Sequence, residues 1–204
     1  MPRDRNAAKN ATNKRTQRRA AGRRQALTRR ILWSLTATVA VGVVGFLLFQ
    51  SAQKGASVSG RAAAGAKAPE IKVTDFDGNN FQLSDYEGQP VVLNFWASWC
   101  PNCAAEMPAF EKVHQDLADQ VAFLGIDQRD DRGGANDLAH ATGVSYRLAE
   151  DPNGVVFDAF GGTGMPTTVF IDADGTVANI ITGQVDEMQL RQLIAQSFNL
   201  DLDG

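Results

Sequence analysis

From Pro69 onward the apolar positions change period several times, and each change marks an element. Ile71-Lys72-Val73-Thr74-Asp75-Phe76 alternates, breaks at Asp77-Gly78-Asn79 and resumes at Phe81-Gln82-Leu83, the pattern of a hairpin. Val91 to Ala97 is continuously apolar apart from Asn94, which predicts a strand buried on both faces. Met107, Phe110, Val113 and Leu117 then recur at helical spacing to about Asp119, and Pro108 predicts a kink in that helix. Val121 to Asp127 reads as a second buried strand, 136–141 as a short helix, 146–149 as a short strand, and 155–160 as a helix following the turn Asp151-Pro152-Asn153-Gly154. Thr167–Asp172 and Thr176–Ile181 flank Asp172-Ala173-Asp174-Gly175 as a second hairpin. A last helix from about Asp186 to Phe198 would turn Met188, Leu190, Leu193 and Ile194 inward. Strands alternating with helices and closing on a hairpin predict an α/β fold, a mixed sheet with helices on both faces.

Charge divides the chain. Residues 1–30 hold 11 Lys+Arg against the single acid Asp4, so this segment carries about +10, whereas residues 31–204 carry −13. Such an arm could serve nucleic acid, but the next 19 residues, 31–49, contain no charge at all. A helix of that length spans roughly 28 Å, close to the ~30 Å of a bilayer core. Arg29 and Arg30 abut it, and Trp33 would lie at an interface. The expectation is therefore a basic cytoplasmic segment at 1–30, a transmembrane anchor at 31–49, a flexible linker at 50–68 and a folded domain at 69–204 outside the cytoplasm, with no nucleic-acid partner. A cleaved signal peptide is the rival, but its apolar stretch would be shorter and would exit through a small-x-small site.

The only two cysteines, Cys100 and Cys103, follow the first buried strand and open the helix. A Cys-x-x-Cys pair at a strand-to-helix junction is what dithiol–disulfide chemistry requires. With Cys100 at the N-cap, its sulfur faces the free N–H groups of the first helical turn, which stabilise a thiolate. Pro101 then falls at N1, where a missing N–H costs nothing, leaving Asn102 and Cys103 as donors. A structural bridge this short constrains almost no loop. A zinc site needs four ligands, and His114 and His140, expected at the surface, stand at no finger-like spacing. Haem attachment is excluded because Ala104 follows the second cysteine. The acidic run at 127–131 lacks calcium-loop spacing and reads as a solvated loop, and 172–175 as a turn. No metal and no cofactor is expected.

Three stretches, Asn94-Phe95-Trp96-Ala97-Ser98-Trp99-Cys100-Pro101-Asn102-Cys103, Glu106-Met107-Pro108 and Gly164-Met165-Pro166-Thr167-Thr168-Val169-Phe170-Ile171-Asp172, resemble thioredoxin-fold proteins of the TlpA/ResA type. These are membrane-anchored thiol–disulfide oxidoreductases of the bacterial cell envelope. The resemblance covers about residues 66–200. It implies a thioredoxin-like fold with an N-terminal hairpin extension and a central insertion, a cis peptide at Pro166, and a partner's backbone held by Met165, Pro166 and Thr167 beside Trp99. It places Glu106 where the ResA-type proteins carry an active-site glutamate. Glu106 lies three residues after Cys103 on the same helical face, and burial would raise its pKa toward that of an acid/base working near neutrality. Asn94 stands where thioredoxin has an aspartate, so that route for the proton of Cys103 is closed.

The expected activity is disulfide exchange with protein thiol and disulfide partners, with Cys100 as nucleophile, Cys103 as resolving thiol and Glu106 managing its proton. Electrons would come from, or pass to, a membrane thiol–disulfide partner. Asn102 adds no charge between the cysteines and Pro101 withdraws a donor, which tilts the reading toward a reductant, with apocytochrome c thiols as one substrate the resemblance implies. A disulfide-forming oxidase of exported proteins remains the alternative, and an anchored copper metallochaperone is the non-enzymatic one. A peroxiredoxin would need a Pro-x-x-x-Thr-x-x-Cys setting, which is absent around Cys100.

Overall fold

The computed structural model describes residues 57–202. The basic segment at 1–30 and the apolar span at 31–49 lie outside the described residues. Among those described, no helix is long and apolar enough to cross a membrane.

Eight strands are described: β1 (Ser57–Ser59), β2 (Glu70–Asp75), β3 (Asn80–Gln82), β4 (Val91–Trp96), β5 (Ala122–Gln128), β6 (Arg147–Asp151), β7 (Thr167–Ile171) and β8 (Val177–Thr182). They form one sheet in the order β1-β2-β6-β5-β4-β7-β8, with β3 on the other edge of β2. β4, β5 and β6 run parallel, β7 pairs antiparallel with β4, and β8 pairs antiparallel with β7. The helices are α1 (Pro101–Leu117), α2 (Arg132–Thr142), α3 (Val155–Ala159) and α4 (Glu187–Phe198). α1, α2 and α4 bury Cys103, Met107, Phe110, Ala135, Leu190 and Ile194 against one face of the sheet. α3 places Val156 and Phe157 on the other, among Leu93, Phe95 and Ile126. A mixed sheet covered on both faces is what the alternating pattern predicted.

Each helix starts where a polar group meets its free N–H donors. Asp186 and Gln189 cap α4 reciprocally, and Asn199 closes it in the left-handed region at φ 50°. Asp151, fully buried, accepts the N–H groups of Val156 and Phe157 at 3.0 Å each and pins the start of α3. α1 runs unbroken through Pro108 from its cap at Cys100.

Several expectations need correction. Residues 57–68, assigned to the linker, belong to the fold: Ser57–Ser59 pair with β2, and Gly65 and Ala68 donate backbone hydrogen bonds to Val177 and Gly175. α2 begins at Arg132, four residues earlier than expected, because Asp131 caps it through the Gly134 N–H at 3.0 Å. The 127–131 stretch is not simply a solvated loop, since Asp127 and Gln128 are buried at the end of β5. Met188 points outward, 67% exposed. His140 is exposed as expected, whereas the His114 ring is half-buried against Phe123 and Tyr146.

Candidate active site

The register of the sheet assembles the site. β4 ends at Trp96, and α1 starts five residues later at Pro101, with Cys100 as its N-cap. β7 runs antiparallel to β4 with Thr167 opposite Phe95, so Pro166 lies at the same end of the sheet as the cysteines. The Met165–Pro166 peptide is cis, as expected. The sequence thus brings two segments more than sixty residues apart to one edge through strand pairing alone.

Cys100 and Cys103 form a disulfide, with Cα atoms 5.3 Å apart. The Cys103 N–H donates to Cys100 Sγ at 3.2 Å, which fulfils the N-cap expectation. Cys100 opens onto a cleft of about 670 Å³, and Cys103 is fully buried. Trp99, Asn102, Arg129, Phe157 and Met165 also line that cleft. A hollow of about 760 Å³ along α4 and the segment after it is lined by no cysteine or histidine. Among the described residues no group of three or more His, Cys, Asp or Glu is placed to hold a metal ion.

Trp99 stands 58% exposed at the cleft rim, its indole Nε1 donating to the Arg129 carbonyl at 3.3 Å. Arg129 itself is left-handed at φ 49°. Its side chain crosses to the insertion, donating to the Asn153 carbonyl at 3.3 Å and pairing with Asp158 at 3.1 Å. Gly154 leaves room for it, since a Cβ there would fall 2.4 Å from the guanidinium. These contacts form one wall of the cleft.

Glu106 is 1% exposed on the inner side of α1. Asn94 Nδ2 donates to Oε1 at 2.8 Å and to Thr168 Oγ1 at 3.3 Å, and the Val185 N–H donates to Oε2 at 3.1 Å. Burial disfavours the carboxylate more than these donors favour it, so its pKa is pushed up to about 7. Thr167 departs from expectation. It is fully buried, and its hydroxyl donates to the Gly164 carbonyl at 2.7 Å and meets Thr182 Oγ1 at 3.1 Å. Its side chain therefore braces the loop before Pro166 and is closed to a partner.

The Val185 donor and the Arg129 wall escaped the sequence reading. The first is a backbone group remote in sequence, and the second depends on a left-handed residue with no glycine to signal it.

A cysteine pair at a helix N-terminus, a cis-proline beside it and a buried acid behind it define a thiol–disulfide oxidoreductase on a thioredoxin-like fold. The chain belongs to the AhpC/TSA family, whose model matches residues 64–180, and it is a homologue of the ResA thiol–disulfide oxidoreductases. The ResA protein of Geobacillus thermodenitrificans is 32% identical over 131 residues, covering 64% of this chain and 75% of the relative. A thiol:disulfide interchange protein of the thioredoxin family from Chlorobium tepidum superposes with a TM-score of 0.60 at 27% identity, covering 66% of this chain and 97% of that structure. A secreted disulfide oxidoreductase of Mycobacterium tuberculosis gives 0.56 at 29% identity, covering 63% and 95%. The protein carries out dithiol–disulfide exchange through Cys100 and Cys103.

Proposed function

We propose that this protein is a membrane-anchored reductant of protein disulfides outside the cytoplasm. The observation that carries the direction is the poor stabilisation offered to the Cys100 sulfur. One N–H reaches it, Pro101 supplies none, and Asn102 between the cysteines is neutral. The Arg129 guanidinium, in the same cleft, is engaged by Asp158. A less stabilised thiolate makes the dithiol form easier to oxidise, and so a better donor of electrons. The +10 segment ahead of a charge-free span supports the location, as does the secreted relative from Mycobacterium tuberculosis. Likeness to the ResA proteins supports apocytochrome c thiols as the substrate class.

In the exchange, the Cys100 thiolate attacks one sulfur of the partner's disulfide and the partner's other sulfur leaves as a thiolate, which takes a proton from solvent. Cys103, deprotonated by the Glu106 carboxylate, then attacks Cys100 Sγ. The second partner sulfur leaves as a thiolate and the Cys100–Cys103 disulfide forms. Two electrons pass to the partner, and the proton of Cys103 stays on Glu106 until solvent takes it. Met165 and Pro166 hold the partner's extended backbone in the manner of an added strand, and Trp99 shields the reacting sulfurs.

Equilibrating the full chain with glutathione buffers tests the direction. A potential more negative than about −200 mV fits a reductant. A value near the about −120 mV of a strong oxidant would make the protein a disulfide-forming oxidase instead.

A further inference from the structure

The two residues before Cys100 are held by the loop after β5, each in a different way. Ser98 donates its backbone N–H to Asp130 Oδ2 and its hydroxyl to Asp130 Oδ1 at 2.8 Å. The first turn of α2 closes on the same residue, since a Cβ at Gly134 would fall 2.7 Å from Ser98 Oγ. The backbone leading to Cys100 is therefore fixed by Asp130. Trp99 is fixed through its side chain, and the group that holds the exposed indole is the Arg129 carbonyl.

We propose that Arg129 is a positioning residue for partner binding: it ties the Trp99 indole to the insertion, sets the spacing between the Cys100 rim and α3, and so determines how tightly a partner's extended segment seats beside the reactive sulfur. Trp99 and Cys100 line the cleft from the redox side, and Phe157 and Asp158 line it from α3. Arg129 bonds to both sides, to Trp99 through its carbonyl and to Asp158 through its guanidinium. The role is the same for either direction of exchange.

The conformation of Arg129 shows how it is held. A left-handed φ of 49° is disfavoured for an arginine and persists where surrounding contacts select it. Its N–H donates to the Asp151 carbonyl at 3.1 Å, Nε to the Asn153 carbonyl at 3.3 Å and Nη2 to Asp158 Oδ2 at 3.1 Å. The half-exposed pair with Asp158 contributes little alone. The planar fork, set against Gly154 and shared between Asn153 and Asp158, fixes the side chain where a point charge would not. With both ends of the residue fastened, the carbonyl is aimed at the indole.

The test uses the full chain and one peptide in two forms, disulfide-bonded for the dithiol protein and reduced for the disulfide protein. Arg129→Gln should raise the half-saturating peptide concentration about fivefold or more, the size of one lost hydrogen bond. The limiting rate should stay within about twofold, because Asp130 still holds Ser98. The Trp99 indole N–H signal in nuclear magnetic resonance, identified by its loss in Trp99→Phe, should shift and exchange faster with water. Arg129→Lys keeps the charge without the fork and should match Arg129→Gln. An unchanged half-saturating concentration or an unmoved indole signal in Arg129→Gln would overturn the proposal. A lysine variant equal to the parent would also overturn it, since the partner would then be reading charge alone. A loss that falls on the limiting rate instead would move Arg129 into the chemistry and sink the positioning role. Should Arg129→Gln fail to fold, Asp158→Asn decides: it should move the same indole signal, and a silent signal would overturn the proposal. A protein that oxidises the peptide but does not reduce it would refute the reductant reading and leave this test intact.

Discussion

Glu106 illustrates how one buried side chain ties chemistry to stability. Its carboxyl sits near 7, where it can both take and return a proton at working pH. Glu106→Gln keeps the acceptor for Val185 but loses the proton. Resolution of a mixed disulfide at Cys100 should slow by about tenfold or more, with the rate losing its inflection near pH 7. Single-turnover reduction of a disulfide-bonded peptide measures this. The raised pKa also has a price in stability. The native state holds this proton between the unfolded value of 4.5 and about 7, while the unfolded chain releases it. The contribution is therefore complete below about 4.5 and lost as pH rises through 7, and it amounts to at most about 3 kcal/mol. Denaturant unfolding should show parent stability declining across that window and Glu106→Gln declining less. The two cysteines were legible because their chemistry follows from type and spacing, and Glu106 because the resemblance to ResA-type proteins pointed to it on the Cys103 face of the helix. Asp127 and Thr167 were not: a carboxylate reads as solvated and a threonine beside a cis-proline as accessible, until tertiary contacts enclose them.

At the scale of elements, the strongly periodic segments were legible and the weakly patterned ones were not. β4, β5 and α1 announce themselves through continuous or helical apolar runs. β1 has Val58 as its only large apolar residue within a Gly/Ala/Ser-rich stretch, so only its pairing with β2 defines it. The start of α2, Arg132-Gly133-Gly134, has poor intrinsic helix propensity and depends on the Asp131 cap. Met188 was misplaced because it lies roughly 200° around α4 from Leu190, away from the Leu190–Ile194 stripe. The insertion offers a sharper test. A Cβ at Gly162 would fall 2.2 Å from the Phe157 ring, which packs edge-on to Phe95 with centroids 5.3 Å apart. Gly162→Ala should therefore cost about 1–3 kcal/mol through overpacking. It should also weaken peptide binding, since Phe157 lines the cleft. Thermal unfolding and peptide titration read the two effects.

Across the whole molecule, the asymmetry of charge between residues 1–30 and 31–204 is what the proposed orientation rests on, with the basic segment in the cytoplasm and the redox domain beyond the membrane. A phosphatase fused after Gly204 should be active, and a reporter that works only in the cytoplasm should be silent there. Inactive phosphatase would contradict the anchored, exported reading. The central claim is that Cys100 meets the partner and Cys103 releases it. It rests on a cleft that opens onto Cys100 and leaves Cys103 fully buried. The most direct measurement is mass spectrometry of single-cysteine variants after mixing with a disulfide-bonded peptide. Cys103→Ser should accumulate a stable mixed disulfide through Cys100, and Cys100→Ser should accumulate almost none. Faster or equal adduct formation at Cys103 would contradict the account.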